Sequence, residues 1–179
     1  MKLVILDRDG VINHDRDDFV KNSMEWVALD RAPEAIALLS QAGWKVVIAT
    51  NQSGLGRGLF DMHALNAMHE KMHRMVQRAG GRIDAIFFCP HTPDAGCQCR
   101  KPKSGMVIDI AERYGVKPDS LIMIGDSLRD LESVAAVGGR SILVKTGKGS
   151  ATLEKGGLPA GTLVFDDLFA AAEFLLSQI

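Results

Sequence analysis

The chain predicts an α/β fold built on a doubly wound, mainly parallel sheet. Two observations carry this. Short apolar, β-branched runs alternate along the chain with longer stretches of helical period. The runs are apolar at successive positions, as strands buried on both faces are, and do not alternate apolar with polar.

The elements follow in order. LVILD (3–7) is the first strand, and KVVIATN (45–51), IDAIFFC (83–89), SLIMIGD (120–126), RSILVKT (140–146) and TLVFDD (162–167) are the others. Helices are expected at about 33–42, 61–79, 104–114, 128–137 and 167–177. The second of these carries an apolar stripe, Leu65, Met68, Met72 and Val76. The third has Ser104 as its N-cap and Gly115 just past its end. Strand, helix, strand in repetition implies right-handed crossovers. Sites in such sheets lie at the C-terminal strand ends.

A chain of 179 residues can bury one core, so residues 1–179 are expected to form a single domain. The net charge of −1 argues against a nucleic-acid partner. No apolar run approaches the roughly 18–20 residues of a membrane span, so no membrane partner is expected. The N-terminal MKLVILDRDG lacks the long apolar segment and small-residue cleavage site of a secretory signal, and a cytoplasmic monomer is expected.

All three cysteines crowd into CPHTPDAGCQCRKP (89–102). An odd number weakens a disulfide framework, and core thiols would be scattered through strands and helices. Cys89, His91, Cys97 and Cys99 instead offer four soft or borderline ligands, which suits tetrahedral Zn²⁺. Four protein ligands leave no open position for water, so this zinc is expected to be structural.

The strand ends carry the chemistry. The first ends in Asp7-Arg8-Asp9-Gly10, the second in Thr50-Asn51-Gln52-Ser53, and the fourth in Gly125-Asp126. The loop after the third closes on Arg100-Lys101. Three acids, a hydroxyl and a lysine therefore converge on one edge. That set fits phosphoryl transfer through an aspartyl phosphate. In extended backbone Asp7 and Asp9 point to one side, and Gly10 lets the chain turn away. Asp7 and Asp126 offer hard oxygen ligands to catalytic Mg²⁺. Lys101 and Thr50 can hold the phosphoryl group, and Asp9 can move the protons.

DRDGVIN, TNQSG, RKP and GDSLRD resemble the four motifs of the haloacid dehalogenase superfamily of Mg²⁺-dependent phosphatases, in order and spacing, over residues 7–130. The resemblance implies Asp7 as nucleophile and Asp9 as general acid/base. It also implies magnesium on Asp7, Asp126 and the backbone carbonyl of Asp9. The gaps are too short for a large cap domain. The zinc loop before Arg-Lys-Pro narrows the resemblance to two branches. TNQSGLGRGLF and CRKPKSGM are similar to the branch that takes the C7 phosphate from heptose bisphosphates in ADP-heptose and lipopolysaccharide synthesis. The close spacing CPH-x5-CQC resembles the histidinol-phosphate branch. A small phosphorylated sugar is the expected substrate. The heptose branch implies that Asp15, Arg16, Asp17 and Asp18 line the sugar, with Asn51, Gln52, Ser53 and Arg100 also contacting substrate.

HEKMH (69–73) matches the zinc-peptidase pattern H-E-x-x-H and supplies a remote alternative, a metallopeptidase. Its histidines fall on the flank of an ordinary helical stripe. GLGRG (54–58) and KTGKGS (145–150) lack the spacings of dinucleotide and nucleotide phosphate loops.

Overall fold

In the computed structural model, which describes residues 1–178, six parallel strands form one sheet. They are β1 (Leu3–Leu6), β2 (Lys45–Asn51), β3 (Ala85–Cys89), β4 (Ile122–Gly125), β5 (Arg140–Val144) and β6 (Leu163–Phe165). The order is β3-β2-β1-β4-β5-β6, with every pairing parallel. The chain winds outward from β1 in one direction, then returns to β4 on its other side. The topological switch point therefore lies between β1 and β4, where a cleft opens at the carboxyl ends.

Both faces are covered, which explains the missing period of two. Val4, Leu6, Ile48, Ile124 and Val144 face one core with α1 (Ala32–Gln41), α3 (Met62–Arg78) and α7 (Leu168–Ser177). Leu3, Ile5, Val47, Ala49 and Met123 face the other, against α4 (Gly105–Tyr114) and Val134 of α5 (Leu128–Ala135). All six expected strands and five expected helices are present. Most strands end slightly earlier than their apolar runs; at β1 and β4 the residues past the last ladder pair, Asp7 and Asp126, turn into the cleft.

Two short helices, α2 (Ser53–Gly56) and α6 (Gly149–Lys155), were not legible. They are too short to show a period. Ser104 precedes α4 as expected but does not cap it. Its hydroxyl donates instead to the Ser133 carbonyl (2.8 Å), tying α4 to α5. Gly115 ends α4 in the left-handed region (φ 63°), as glycine readily does. No described helix is long and apolar enough to cross a membrane.

Ile48 is fully buried in the first of these cores. Ile48→Ala should destabilise the fold by about 2–5 kcal/mol, through lost transfer energy and the cavity left behind. Urea titration should show a lower midpoint with an unchanged m-value.

Candidate active site

β1 and β4 lie side by side, and their ends deliver Asp7 and Asp126. The Asp7 N–H still donates to the Ile124 carbonyl (3.0 Å), so the two strands hold the acids in register. Between them reaches Lys101, one of the most deeply buried side chains of the protein. Its ammonium donates to Asp7 Oδ1 (3.0 Å), Asp130 Oδ1 (2.7 Å) and the Ala49 carbonyl (2.7 Å), which uses all three of its protons.

Asp130 is the functional residue that sequence reasoning passed over. It occupies the third position of α5 and closes a capping box with Ser127. Its Oδ2 accepts from the Asp126 and Ser127 N–H groups and the Ser127 hydroxyl, which leaves Oδ1 for Lys101. The S-x-x-D spacing in GDSLRD was the signal available for it.

The carboxylates of Asp7, Asp126 and Asp130 approach within 4.8 Å of one another. Burial, then the Asp130 charge, pushes Asp7 well above the usual carboxylate range, against the pull of Lys101. The same two causes raise Asp126 to about 7. Burial would raise Asp130 as well, but the Lys101 charge and hydrogen bonds hold it low. Three acids thus share one ammonium. Hard oxygen donors with this surplus of negative charge fit a divalent cation such as Mg²⁺.

Asp9 stands apart from that cluster. The chain bends at Arg8, so Asp7 and Asp9 reach the cleft from a turn and not from continuous strand. Asp9 Oδ1 accepts from Arg8 Nε (2.9 Å), Arg8 Nη2 (2.8 Å) and Asn13 Nδ2 (2.9 Å). Its Oδ2 accepts from Gln52 Nε2 (3.2 Å). Burial favours the protonated acid, but Arg8 and these donors outweigh it and hold Asp9 below its ordinary range. Gly10 takes φ 84° beside Asp126, where a Cβ would collide with the Asp126 carboxylate.

The sequence-predicted contacts divide into three groups. Asp15, Arg16, Asp17, Thr50, Asn51, Ser53 and Arg100 line a cleft of about 250 Å³ with Asp7, Asp9, Lys101 and Asp126. Gln52 is buried behind it, with its amide on Asp9 and on Thr50 Oγ1 (3.0 Å). Asp18 lies outside, exposed and paired with Arg16 and Lys21. Asn51 clamps Lys101 by giving its Nδ2 proton to the Lys101 carbonyl (3.1 Å) and accepting the Lys101 N–H (3.0 Å). The cleft also takes in Phe19, Arg57 and Arg129, close in sequence to predicted site residues, and Lys148, which is distant from them. The Lys148 N–H donates to Asp126 Oδ2 (2.9 Å), so the discounted KTGKGS segment forms part of the wall.

Cys89, His91, Cys97 and Cys99 do meet. Cys89 Sγ lies 3.7 Å from Cys97 Sγ and 3.0 Å from Cys99 Sγ, and His91 Nδ1 lies 3.2 Å from Cys99 Sγ. Three thiols and an imidazole whose donor atoms lie within 4.8 Å of one another suit zinc in their chemistry, and the Cys89–Cys97 separation is close to the roughly 3.8 Å edge of a tetrahedron with zinc–sulfur arms of about 2.3 Å. Burial pushes the Cys89 thiol up to about 12. Cys97 comes down to about 6 despite its own desolvation, through the Arg100 N–H and its thiol neighbours. HEKMH is different. Among the described residues its histidines join no metal-ligating cluster, and His69 Nε2 faces Arg8 Nη1 at 3.2 Å.

A parallel sheet whose strand order reverses beside a buried Asp–Lys–Asp cluster defines a phosphatase of the haloacid dehalogenase type. Residues 98–171 match the HAD-hydrolase-like family model, and residues 2–134 match that for polynucleotide kinase 3 phosphatase. The D-glycero-beta-D-manno-heptose-1,7-bisphosphate 7-phosphatase of Bordetella bronchiseptica is 58% identical over 99% of both chains. The crystal structure of the D,D-heptose 1,7-bisphosphate phosphatase of B. bronchiseptica, complexed with magnesium and phosphate, superposes with a TM-score of 0.98 over the whole of both chains, at 58% identity. That from Burkholderia thailandensis is 54% identical over 99% of both chains, with a TM-score of 0.80. The chain belongs to the family of D-glycero-beta-D-manno-heptose-1,7-bisphosphate 7-phosphatases.

Cys97→Ser should lower bound zinc from one per chain, measured by elemental analysis of the purified protein. Its kcat/KM should fall with it, since Arg100 and Lys101 follow the zinc ligands directly. Full zinc occupancy in that variant would exclude Cys97 as a ligand.

Proposed function

We propose that this chain is a magnesium-dependent phosphatase that removes the C7 phosphate of D-glycero-β-D-manno-heptose 1,7-bisphosphate, a step toward ADP-heptose. The observation that carries the reading is Asp7, held 3.0 Å from the Lys101 ammonium at the floor of a cleft that Arg57, Arg100 and Arg129 also line. One phosphate fits the floor and a second fits the arginines. The close relatives, named for this substrate, support the same choice.

Asp7 is the nucleophile. A bond forms from its carboxylate to phosphorus as the bond from phosphorus to the C7 oxygen breaks. Asp9 gives its proton to the departing alkoxide. The approach of a phosphate dianion, a like charge, favours the protonated form of Asp9 at that stage. Asp9 then takes a proton from the water that attacks phosphorus, which releases inorganic phosphate and restores Asp7. Lys101 and the Thr50 hydroxyl stabilise the phosphoryl oxygens. Magnesium, held by Asp7, Asp126 and the Asp9 carbonyl, neutralises charge between carboxylate and phosphate when bound.

The arginines deal with the phosphate that does not react. Burial, then the charges of Arg129 and Arg57, makes an extra positive charge at Arg100 costly. Arg100 Nη1 is buried with no hydrogen-bond partner among the described residues. A dianion would relieve both penalties. Asp15, Arg16, Asp17 and Ser53 line the same cleft, which supports a role for them in contacting the sugar between the two phosphates.

Asp7→Asn should abolish turnover, because an amide cannot form the acyl phosphate. Asp9→Asn should lose roughly 10²–10⁴-fold in kcat. Near-native kcat in either variant, measured by phosphate release, would sink the covalent mechanism.

Arg100→Ala should cost about 1.5–3 kcal/mol in kcat/KM on the heptose bisphosphate, the range for hydrogen bonds to charged groups. The loss on heptose 7-phosphate and histidinol phosphate should be smaller. A wild-type preference for histidinol phosphate would overturn the substrate assignment and leave the phosphatase chemistry standing.

A further inference from the structure

Arg8 is fully buried, yet its guanidinium is charged at every working pH. A buried charge persists only where it is paired and hydrogen-bonded. Two of its nitrogens, Nε and Nη2, grip Asp9 Oδ1. The third, Nη1, turns away from the cleft to His69 Nε2 (3.2 Å), with Met68 Sδ beyond at 3.8 Å. A guanidinium has no acceptor, so Nη1 donates and His69 Nε2 accepts. The ring is therefore neutral, with its proton on Nδ1. Burial, with the Arg8 charge second, lowers His69 to about 3, which keeps it neutral.

The two oxygens of Asp9 are not equivalent. Oδ1 takes three donors, two from Arg8 and one from Asn13. That fills an oxygen with about two lone-pair sites. Oδ2 takes the single, longer bond from Gln52 among the described residues, and has room for a proton. Asp9 follows the bend at Arg8 and joins only an isolated bridge to Asn13, so no extended ladder fixes its side chain.

We propose that Arg8 and His69 are positioning residues for the general acid: neutral His69 orients Arg8, Arg8 locks Asp9 Oδ1, and Oδ2 is left as the oxygen that delivers the proton to the leaving alkoxide. This rests on the acid/base role proposed for Asp9. It gives the first histidine of HEKMH a task that needs no metal. The plain alternative is that Arg8, Met68 and His69 only pin α3 to the sheet.

Leaving groups of different acidity separate the two. The kcat/KM value covers steps up to departure of the leaving group. An alkoxide needs the proton from Asp9, whereas 4-nitrophenolate departs without it. His69→Leu should reduce kcat/KM for the heptose bisphosphate about 10- to 100-fold more than for 4-nitrophenyl phosphate, the scale of an ångström-level misplacement. His69→Gln, whose amide oxygen still accepts from Nη1, should recover most of that difference. Arg8→Met should show the same bias toward the alkyl ester, approaching that of Asp9→Asn. Equal losses on both esters in His69→Leu and Arg8→Met, or no loss in His69→Leu, would overturn the proposal. If Asp9→Asn itself showed no bias between the esters, the acid role of Asp9 would fall, and the positioning role with it.

Discussion

A single buried ammonium holds this site together. Lys101 lies between Asp7 and Asp130, and its charge offsets part of the cost of burying the two carboxylates. Removing one member of such a buried pair commonly costs about 3–5 kcal/mol, because the remaining charge is left uncompensated. Here three separate parts of the fold must agree. β1 supplies Asp7, the capping box of α5 supplies Asp130, and the loop after β3 supplies Lys101. Misplacing Lys101 leaves two buried carboxylates without their cation.

The loop has the hardest task, since residues 90–104 contain no helix or strand of their own. Two restraints hold it. Asn51 at the end of β2 clamps the Lys101 backbone from both sides, and the Cys–His cluster ties the loop to Cys89 at the end of β3. A bound zinc contributes folding free energy where the chain offers little apolar burial. Zinc held by Cys89, His91, Cys97 and Cys99 would thereby also fix the position of Arg100 and Lys101, which follow those ligands directly. One faces the rim and the other the floor of the same cleft.

Close backbone approach sets the opposite wall. Gly10 and Gly147 both pack against Asp126, and a Cβ on either would strike its carboxylate. The Thr146 hydroxyl donates to the Gly10 carbonyl (2.7 Å), which pins the two turns together. Among the described residues no cap domain closes over the cleft, and its rim carries the fixed charges of Arg57, Arg100 and Arg129. Their mutual repulsion before substrate arrives makes a polyanion the favourable occupant.

Local pattern was enough for the six strands, the five longer helices and the cysteine–histidine loop. Apolar period and ligand spacing are properties of short windows, and so are legible in a single sequence. The strand-end rule then placed Asp7, Asp9, Thr50, Lys101 and Asp126 along one edge. Other features were settled only by folding. Asp130 became a partner of Lys101 because a helix cap turned its free oxygen toward a loop 29 residues away. Gln52 turned inward to Asp9 because Thr50 and Asp9 needed a donor there. Lys148 joined the site because β5 lies beside β4, and His69 met Arg8 because α3 packs across β1. Such contacts join residues distant in sequence, and no window of sequence records them. They exist because buried charges and polar groups must find partners wherever the packed chain brings them.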